Sequence, residues 1–175
     1  MLDGPTHRFF PLRSLERFAS QIESELPDVF LASADNIPAM MEIERQSSTA
    51  AHWTSEQYRA IFESAAPRRL AWIVRDVEAV GFLVARAFDL DREWEIENIA
   101  ISNSSQRKGY GSRLLSELTT TASSEDATLI FLEVRDSNLK ARAFYEKHLF
   151  REFGKRTGYY SGPSEDAILY RLLVP

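Results

Sequence analysis

The stretch Ile96-Glu97-Asn98-Ile99-Ala100-Ile101, followed by Ser102 to Ser105 and then Gln106-Arg107-Lys108-Gly109-Tyr110-Gly111-Ser112, decides how the rest of the chain is read. Its first six residues predict the end of a strand, with Ile99 and Ile101 projecting to one face. Beyond the glycines, Leu114, Leu115, Leu118 and Ala122 recur at helical spacing and predict a helix over Gly109–Ala122. Strand, polar glycine loop and helix in that order offer free backbone N–H groups at the positive end of a helix, a setting that receives an anion. Glycine there permits close approach of ligand oxygens, and Arg107 and Lys108 add positive charge. A plain turn with a solvated basic pair uses the same residues, so the loop alone leaves both readings open. It is not a P-loop, because the Gly-x-x-x-x-Gly-Lys-Ser/Thr spacing is missing, and it lacks the third glycine of the dinucleotide fingerprint.

Outward from this loop the chain alternates between strand and helix signals. Upstream, Val29–Ala32 predicts a short strand, and Asp35 or Asn36 can cap a helix carrying Ile37, Met40, Met41 and Ile43. Thr54 and Gln57 have capping-box spacing and open a helix through Tyr58, Ile61 and Phe62. Leu70–Arg75 and Ala79–Phe88, separated by Asp76-Val77-Glu78, read as a hairpin, and Trp94–Ile101 follows as a strand. Downstream come a strand over Thr128–Val134, a helix over Asn138–His148, and strands over Phe150–Tyr160 and Ala167–Val174. The order β, α, α, β, β, β, α, β, α, β, β predicts a mixed α/β sheet flanked by helices and excludes a regular doubly wound one. Residues 1–28 read as an N-terminal helical extension, in which Leu12, Leu15, Phe18, Ile22 and Leu26 form an amphipathic stripe that Pro27 stops, leaving 29–175 as the main domain.

With 175 residues the chain has the size of one domain, able to bury roughly 70% of the surface its unfolded form exposes. The absence of cysteine excludes disulfides, thiolate-ligated zinc or iron–sulfur sites and thiol nucleophiles, and no metal site is expected. A net charge of −5 argues against a non-specific nucleic-acid grip. The longest apolar run, Ala79 to Ala85, is cut by Arg86, and Met1 to Arg13 lacks the apolar core of a secretory signal. No membrane partner is expected, and cytoplasm is the expected compartment.

Three polar residues near the C-terminal third invite chemistry. In Thr128–Val134 both faces are apolar, which predicts a central strand with Glu133 at its end beside buried surface. Burial disfavours the charged form of a carboxylate, which suits a general base. A strand-end glutamate paired with Arg135 or a neighbouring lysine is the alternative. Asn138 and Tyr145 lie seven apart on one helix and so share a face, although a helix cap and a core aromatic account for each taken singly. His52 reads as structural, and His148, near a helix C-terminus, reads as serving the dipole.

Together, the Gln/Arg-x-x-Gly-x-Gly/Ala loop at Gln106–Gly111 and a second set of residues resemble the GNAT superfamily of acetyl-CoA-dependent N-acetyltransferases. That second set is Leu132-Glu133-Val134-Arg135-Asp136-Ser137-Asn138, Ala141, Phe144-Tyr145-Glu146, Arg156, Tyr159-Tyr160 and Glu165-Asp166-Ala167-Ile168. It is similar to the ribosomal-protein alanine N-acetyltransferases of the RimI type, from about Val29 to Val174. The resemblance implies a GNAT fold and acetyl-CoA as co-substrate. Backbone groups of Ile99, Ala100 and Ile101 would pair with the pantetheine arm, residues Gln106, Arg107, Lys108, Gly109, Tyr110, Gly111 and Ser112 would hold the pyrophosphate, and Asn138 would bond the coenzyme arm. It further implies that Glu133 accepts a proton from the incoming ammonium through water, that Tyr145 protonates the departing thiolate, and that Tyr159 and Tyr160 hold the substrate backbone. The substrate so implied is the N-terminal amine, most simply alanine, of a ribosomal protein, acetylated directly in a ternary complex. Acetylation of a small amine, antibiotic or lysine, and a non-catalytic acyl-CoA-binding module, are the alternatives.

The chain departs from the family pattern at three places. Leu149-Phe150 stands for Gly-Phe, so the turn leaving the last helix is expected to differ; Ser102-Asn103 stands for Asp-Pro; and Ala51-His52 stands for an aromatic-Pro pair where peptide preference is set.

Overall fold

Side chains that alternate between two buried faces build the centre of the molecule. The computed structural model describes residues 27–47 and 51–174. The expected N-terminal helix, and with it nearly all of the 1–28 extension, falls outside them. The strands are β1 (Asp28–Leu31), β2 (Arg69–Arg75), β3 (Ala79–Phe88), β4 (Glu93–Ile101), β5 (Leu129–Arg135), β6 (Arg151–Ser161) and β7 (Ser164–Leu173). The helices are α1 (Ile37–Arg45), α2 (Ser55–Glu63), α3 (Tyr110–Ser124) and α4 (Leu139–Lys147), with short 3-10 turns at Ala34–Asn36 and Asn103–Ser105. The element order matches the sequence expectation, and among the described residues no helix is long and apolar enough to cross a membrane.

The seven strands form one sheet in the order β1-β2-β3-β4-β5-β7-β6. Every neighbouring pair is antiparallel except β4 with β5, which α3 connects as a crossover. Trp72, Leu83, Ala85, Trp94, Ile96, Ile130 and Leu132 point to one face, where Leu114, Leu115, Leu118 and Ala122 of α3 and Tyr145 of α4 cover them. Ala71, Ile73, Phe82, Val84 and Ala100 point to the other face, under Ile37, Met40 and Ile43 of α1 and Tyr58 and Ile61 of α2. Each fully buried leucine, such as Leu114 or Leu118, contributes roughly 1.5–3 kcal/mol through burial, so α3 is fixed mainly by its stripe.

The capping box read from Thr54 and Gln57 is formed. The Thr54 hydroxyl accepts from the Gln57 N–H at 3.3 Å, and the Gln57 side chain accepts from the Thr54 N–H at 2.8 Å. Thr54→Ala is expected to lower stability by about 1 kcal/mol, measured as a drop in the urea midpoint without a change in slope. Asn36 behaves differently from its expected cap role: it is the N-cap of α1 but makes no side-chain cap bond, and its Oδ1 instead accepts from the Ser33 N–H at 2.9 Å.

One irregularity positions everything that follows. Val84 pairs with Asn98 but Ala85 with Ile96, so Glu97 is the extra residue of a bulge in β4. A bulge bends its strand and increases its twist. The β4–β5 ladder accordingly covers only Glu93–Ile96 against Leu129–Leu132. Beyond it β4 continues on β3, while Glu133–Arg135 continue on β7. The two central strands part like a V, and the β5-facing backbone groups of residues 97–101 have no strand partner.

Candidate functional site

The V between β4 and β5 leads directly to the glycine loop. Ile99 and Ile101 are half-buried against the α3-side core and Ala100 is buried on the α1–α2 side, so side chains serve packing and only the backbone faces the gap. Gly109 is the N-cap of α3 at φ 90°, a left-handed conformation that costs other residues strain. No side chain caps this helix, which leaves its first N–H groups available. Arg107 and Lys108 are exposed, and among the described residues neither forms an ion pair.

The second glycine also has a packing reason. A Cβ on Gly111 would lie 3.1 Å from Cζ of Phe144, so a glycine there lets α4 approach α3 closely while its backbone N–H stays in the first turn of α3. Other loop side chains are also committed elsewhere. The Tyr110 hydroxyl donates to Asp76 at 2.8 Å, Gln106 reaches Asn103 Oδ1 at 3.2 Å, and Ser112 Oγ lies 2.9 Å from His148 Nε2. A backbone cradle with two free cations fits a pyrophosphate; the side chains of Tyr110 and Ser112 are not needed for it.

Glu133 projects from β5 past the end of the β4–β5 ladder. It is largely buried, and it pairs not with Arg135 or a lysine but with a third cation: its Oε1 accepts from Arg156 Nη1 at 2.6 Å. Arg135 is taken by Glu165 at 3.3 Å. Arg156 lies two strands away on β6, and the register brings it close, because Arg156 and Arg135 both sit opposite Ala167 of β7. The Arg156 guanidinium, its pKa raised by Glu133, also covers the Tyr159 ring at 4.1 Å. Two further carboxylates went unnoticed in the sequence. Glu97 is held by Arg69 at 2.6 Å and Glu95 by Arg86 at 2.5 Å. Burial pushes the Glu95 carboxyl up, Arg86 opposes this, and Glu97 and Glu133 add to it. The period-two spacing Glu93-x-Glu95-x-Glu97 was the available signal.

Tyr145 is buried among Phe144, Phe150 and Tyr170, with ring centroids at 5.4, 5.5 and 6.4 Å. Burial first, and then the neighbouring Tyr160, raise its pKa well above the usual phenol value, so the hydroxyl keeps its proton. Tyr159 and Tyr160 meet edge to face at 5.1 Å on β6. Tyr159 is raised first by contact with Glu133, and Tyr160 first by burial and then by Glu133. Contacts of 2.6, 4.1 and 5.1 Å thus run from Glu133 through Arg156 and Tyr159 to Tyr160, the tyrosine whose neighbourhood raises Tyr145. Glu165 and Asp166 brace this run of contacts: Glu165 accepts from the Ser137 N–H at 2.5 Å, and Asp166 from the Gly158 N–H at 2.8 Å. Asn138 caps α4, its Oδ1 accepting from the Ala141 N–H at 3.2 Å, which leaves its amide NH₂ as the end able to reach a ligand.

Leu149 sits at φ 67°, in the left-handed region that favours glycine, with its side chain exposed. One expectation about the last helix needs correcting. His148 does not serve the dipole as a cation. Burial, and then Lys147, lower its pKa, and it packs 4.8 Å from Phe144. As pH falls from about 7.5 through the ordinary histidine value near 6.5, the unfolded chain gains a proton that the folded imidazole resists, so stability falls. Thermal melts of His148→Gln are expected to lose that part of the acid sensitivity. His52 is exposed in the loop before α2, at φ 54°.

A model of the acetyltransferase (GNAT) family matches residues 37–150. A ribosomal protein bS18-alanine N-acetyltransferase of Salmonella typhimurium is 31% identical over 149 residues, which is 83% of this chain and 97% of that protein. The crystal structure of the ribosomal-protein-S18-alanine N-acetyltransferase from Escherichia coli superposes with a TM-score of 0.73 at 26% identity, covering 85% of this chain and 94% of the other. Ard1 from Thermoplasma volcanium superposes with a TM-score of 0.74 at 24% identity, covering 85% and 98%, a likeness of fold.

Proposed function

Because this chain belongs to the acetyltransferase (GNAT) family, whose members use acyl-CoA, typically acetyl-CoA, we propose that it acetylates the α-amine of a protein N-terminus, most directly the alanine of a ribosomal protein. The observation that carries this is the V between β4 and β5, with a backbone cradle at Gly109 on one side and the Glu133–Tyr159–Tyr160–Tyr145 group on the other. The names of the Salmonella and Escherichia coli relatives support the choice of substrate.

Acetyl-CoA supplies the thioester carbonyl. Backbone groups of residues 99–101 align the pantetheine arm as an added strand would, the Asn138 amide donates to that arm, and Arg107, Lys108 and the α3 N-terminus neutralise the pyrophosphate. Tyr159 and Tyr160 hold the peptide end. Glu133 takes a proton from the ammonium, through water. The freed amine forms the new C–N bond as the C–S bond breaks, the nitrogen gives up its surplus proton to water, and Tyr145 donates to the departing sulfur and regains its proton from solvent. No enzyme thiol exists to carry the acetyl group, so transfer is direct.

The energetics favour an α-amine. Neutralising one at pH 7 costs about 1–1.4 kcal/mol, against roughly 4.6 for a lysine amine. A single carboxylate base is adequate for the first. Mass spectrometry of an N-terminal alanine peptide incubated with enzyme and acetyl-CoA is expected to show one added acetyl group on the α-amine. Acetylation of lysine or of small amines in preference to the peptide would overturn the substrate, and coenzyme binding without transfer to any amine would overturn the enzyme reading.

A further inference from the structure

Three carboxylates line the sheet face beyond α1 and α2, and each has an arginine, but the arginines are not equally fixed. The side chains of Arg69 and Arg86, which hold Glu97 and Glu95, are 19% and 29% exposed, whereas that of Arg156, which holds Glu133, is 54% exposed. Arg135 provides a second contrast. It too lies 4.1 Å over a tyrosine ring, that of Tyr160, yet it is tethered by Glu165 and by the carbonyl of Gly162. Among the described residues Arg156 has no carboxylate partner other than Glu133.

A carboxylate beside an aromatic face is a seat for a cation. Resting on the proposed amine acetylation, we propose that Arg156 fills this seat in the free enzyme as an internal stand-in for the substrate ammonium, which with its bridging water competes with Arg156 for Glu133. Arg156 is then the residue that sets amine affinity, by competition. The geometry makes displacement easy. Ion pairs with an exposed partner are weak, and Arg156 lies on an edge strand with its side chain already half in solvent. Glu133 carries a single negative charge, so a guanidinium and an ammonium beside it repel one another and each weakens the other's hold.

The test is Arg156→Gln, with Arg156→Lys as the variant that keeps the charge and Arg156→Met as a second neutral one should glutamine impair folding. With the alanine peptide, the neutral variants are expected to lower KM about fivefold without a matching rise in kcat, and lysine is expected to restore the wild-type KM. A structural or substrate-binding role would raise KM in the neutral variants, and that result would overturn the proposal. A second arm needs no turnover: propylammonium is titrated by calorimetry into enzyme without acetyl-CoA. Tighter binding to the neutral variants than to wild type, abolished by adding Glu133→Gln, is expected even if the peptide proves not to be the substrate. Equal or weaker binding would contradict the stand-in role.

Discussion

Glu133→Gln is expected to lower kcat roughly 100- to 10,000-fold while leaving KM for acetyl-CoA close to wild type. Glutamine has the same shape and still accepts from Arg156, so the β5–β6 contact at 2.6 Å has a substitute and the fold is not the variable. What disappears is the group that removes a proton from the ammonium. The residual rate should then follow the fraction of amine that is already neutral, rising with pH up to the α-amine value near 8, whereas the wild-type rate flattens earlier. A Glu133→Gln enzyme with wild-type kcat across that range would remove the base from the account. The coenzyme cradle lies on β4 and α3, and nothing in it depends on the Glu133 carboxyl.

Tyr145→Phe is expected to cost about 100-fold or more in kcat with a change in stability of about 1 kcal/mol or less. The ring packs against Phe144, Phe150 and Tyr170, and phenylalanine keeps those contacts. Only the hydroxyl is lost. Unperturbed values of about 10 for tyrosine and 8.5 for a thiol put full proton transfer uphill by about 2 kcal/mol. Burial raises Tyr145, and the same burial disfavours a thiolate beside it, so the hydroxyl is suited to hydrogen-bond the sulfur as the C–S bond breaks. Steady-state kinetics with both substrates varied would separate this loss in kcat from any loss in binding, and an unchanged kcat would exclude the donor role.

Much of the fold was legible because hydrophobic period changes cleanly along the chain. Leu114, Leu115, Leu118 and Ala122 mark α3, and the unbroken apolar run Leu70–Val74 marks a strand with two buried faces. The start of β7 was read three residues late, because Ser164, Glu165 and Asp166 are polar; they extend the strand by pairing with β6 and by binding Arg135 and Lys155. The bulge at Glu97 left no local signal, since it exists only in the register between β3 and β4. The partner of Glu133 was hidden for the same reason: Arg156 is 23 residues away and reaches it only because β7 lies between β5 and β6. The packing reason for Gly111 was hidden because the helix that crowds it, through Phe144, begins 28 residues later in the chain.

Amide hydrogen exchange with and without coenzyme A tests the central claim most directly. Residues 97–101 carry backbone groups without a strand partner toward β5, and the first turn of α3 has no side-chain cap. Coenzyme A is expected to slow exchange at residues 99–101 and 107–112 together, in the wild type and in Glu133→Gln alike. Protection confined to other segments, or none at all at saturating coenzyme, would contradict a thioester held in the V between β4 and β5.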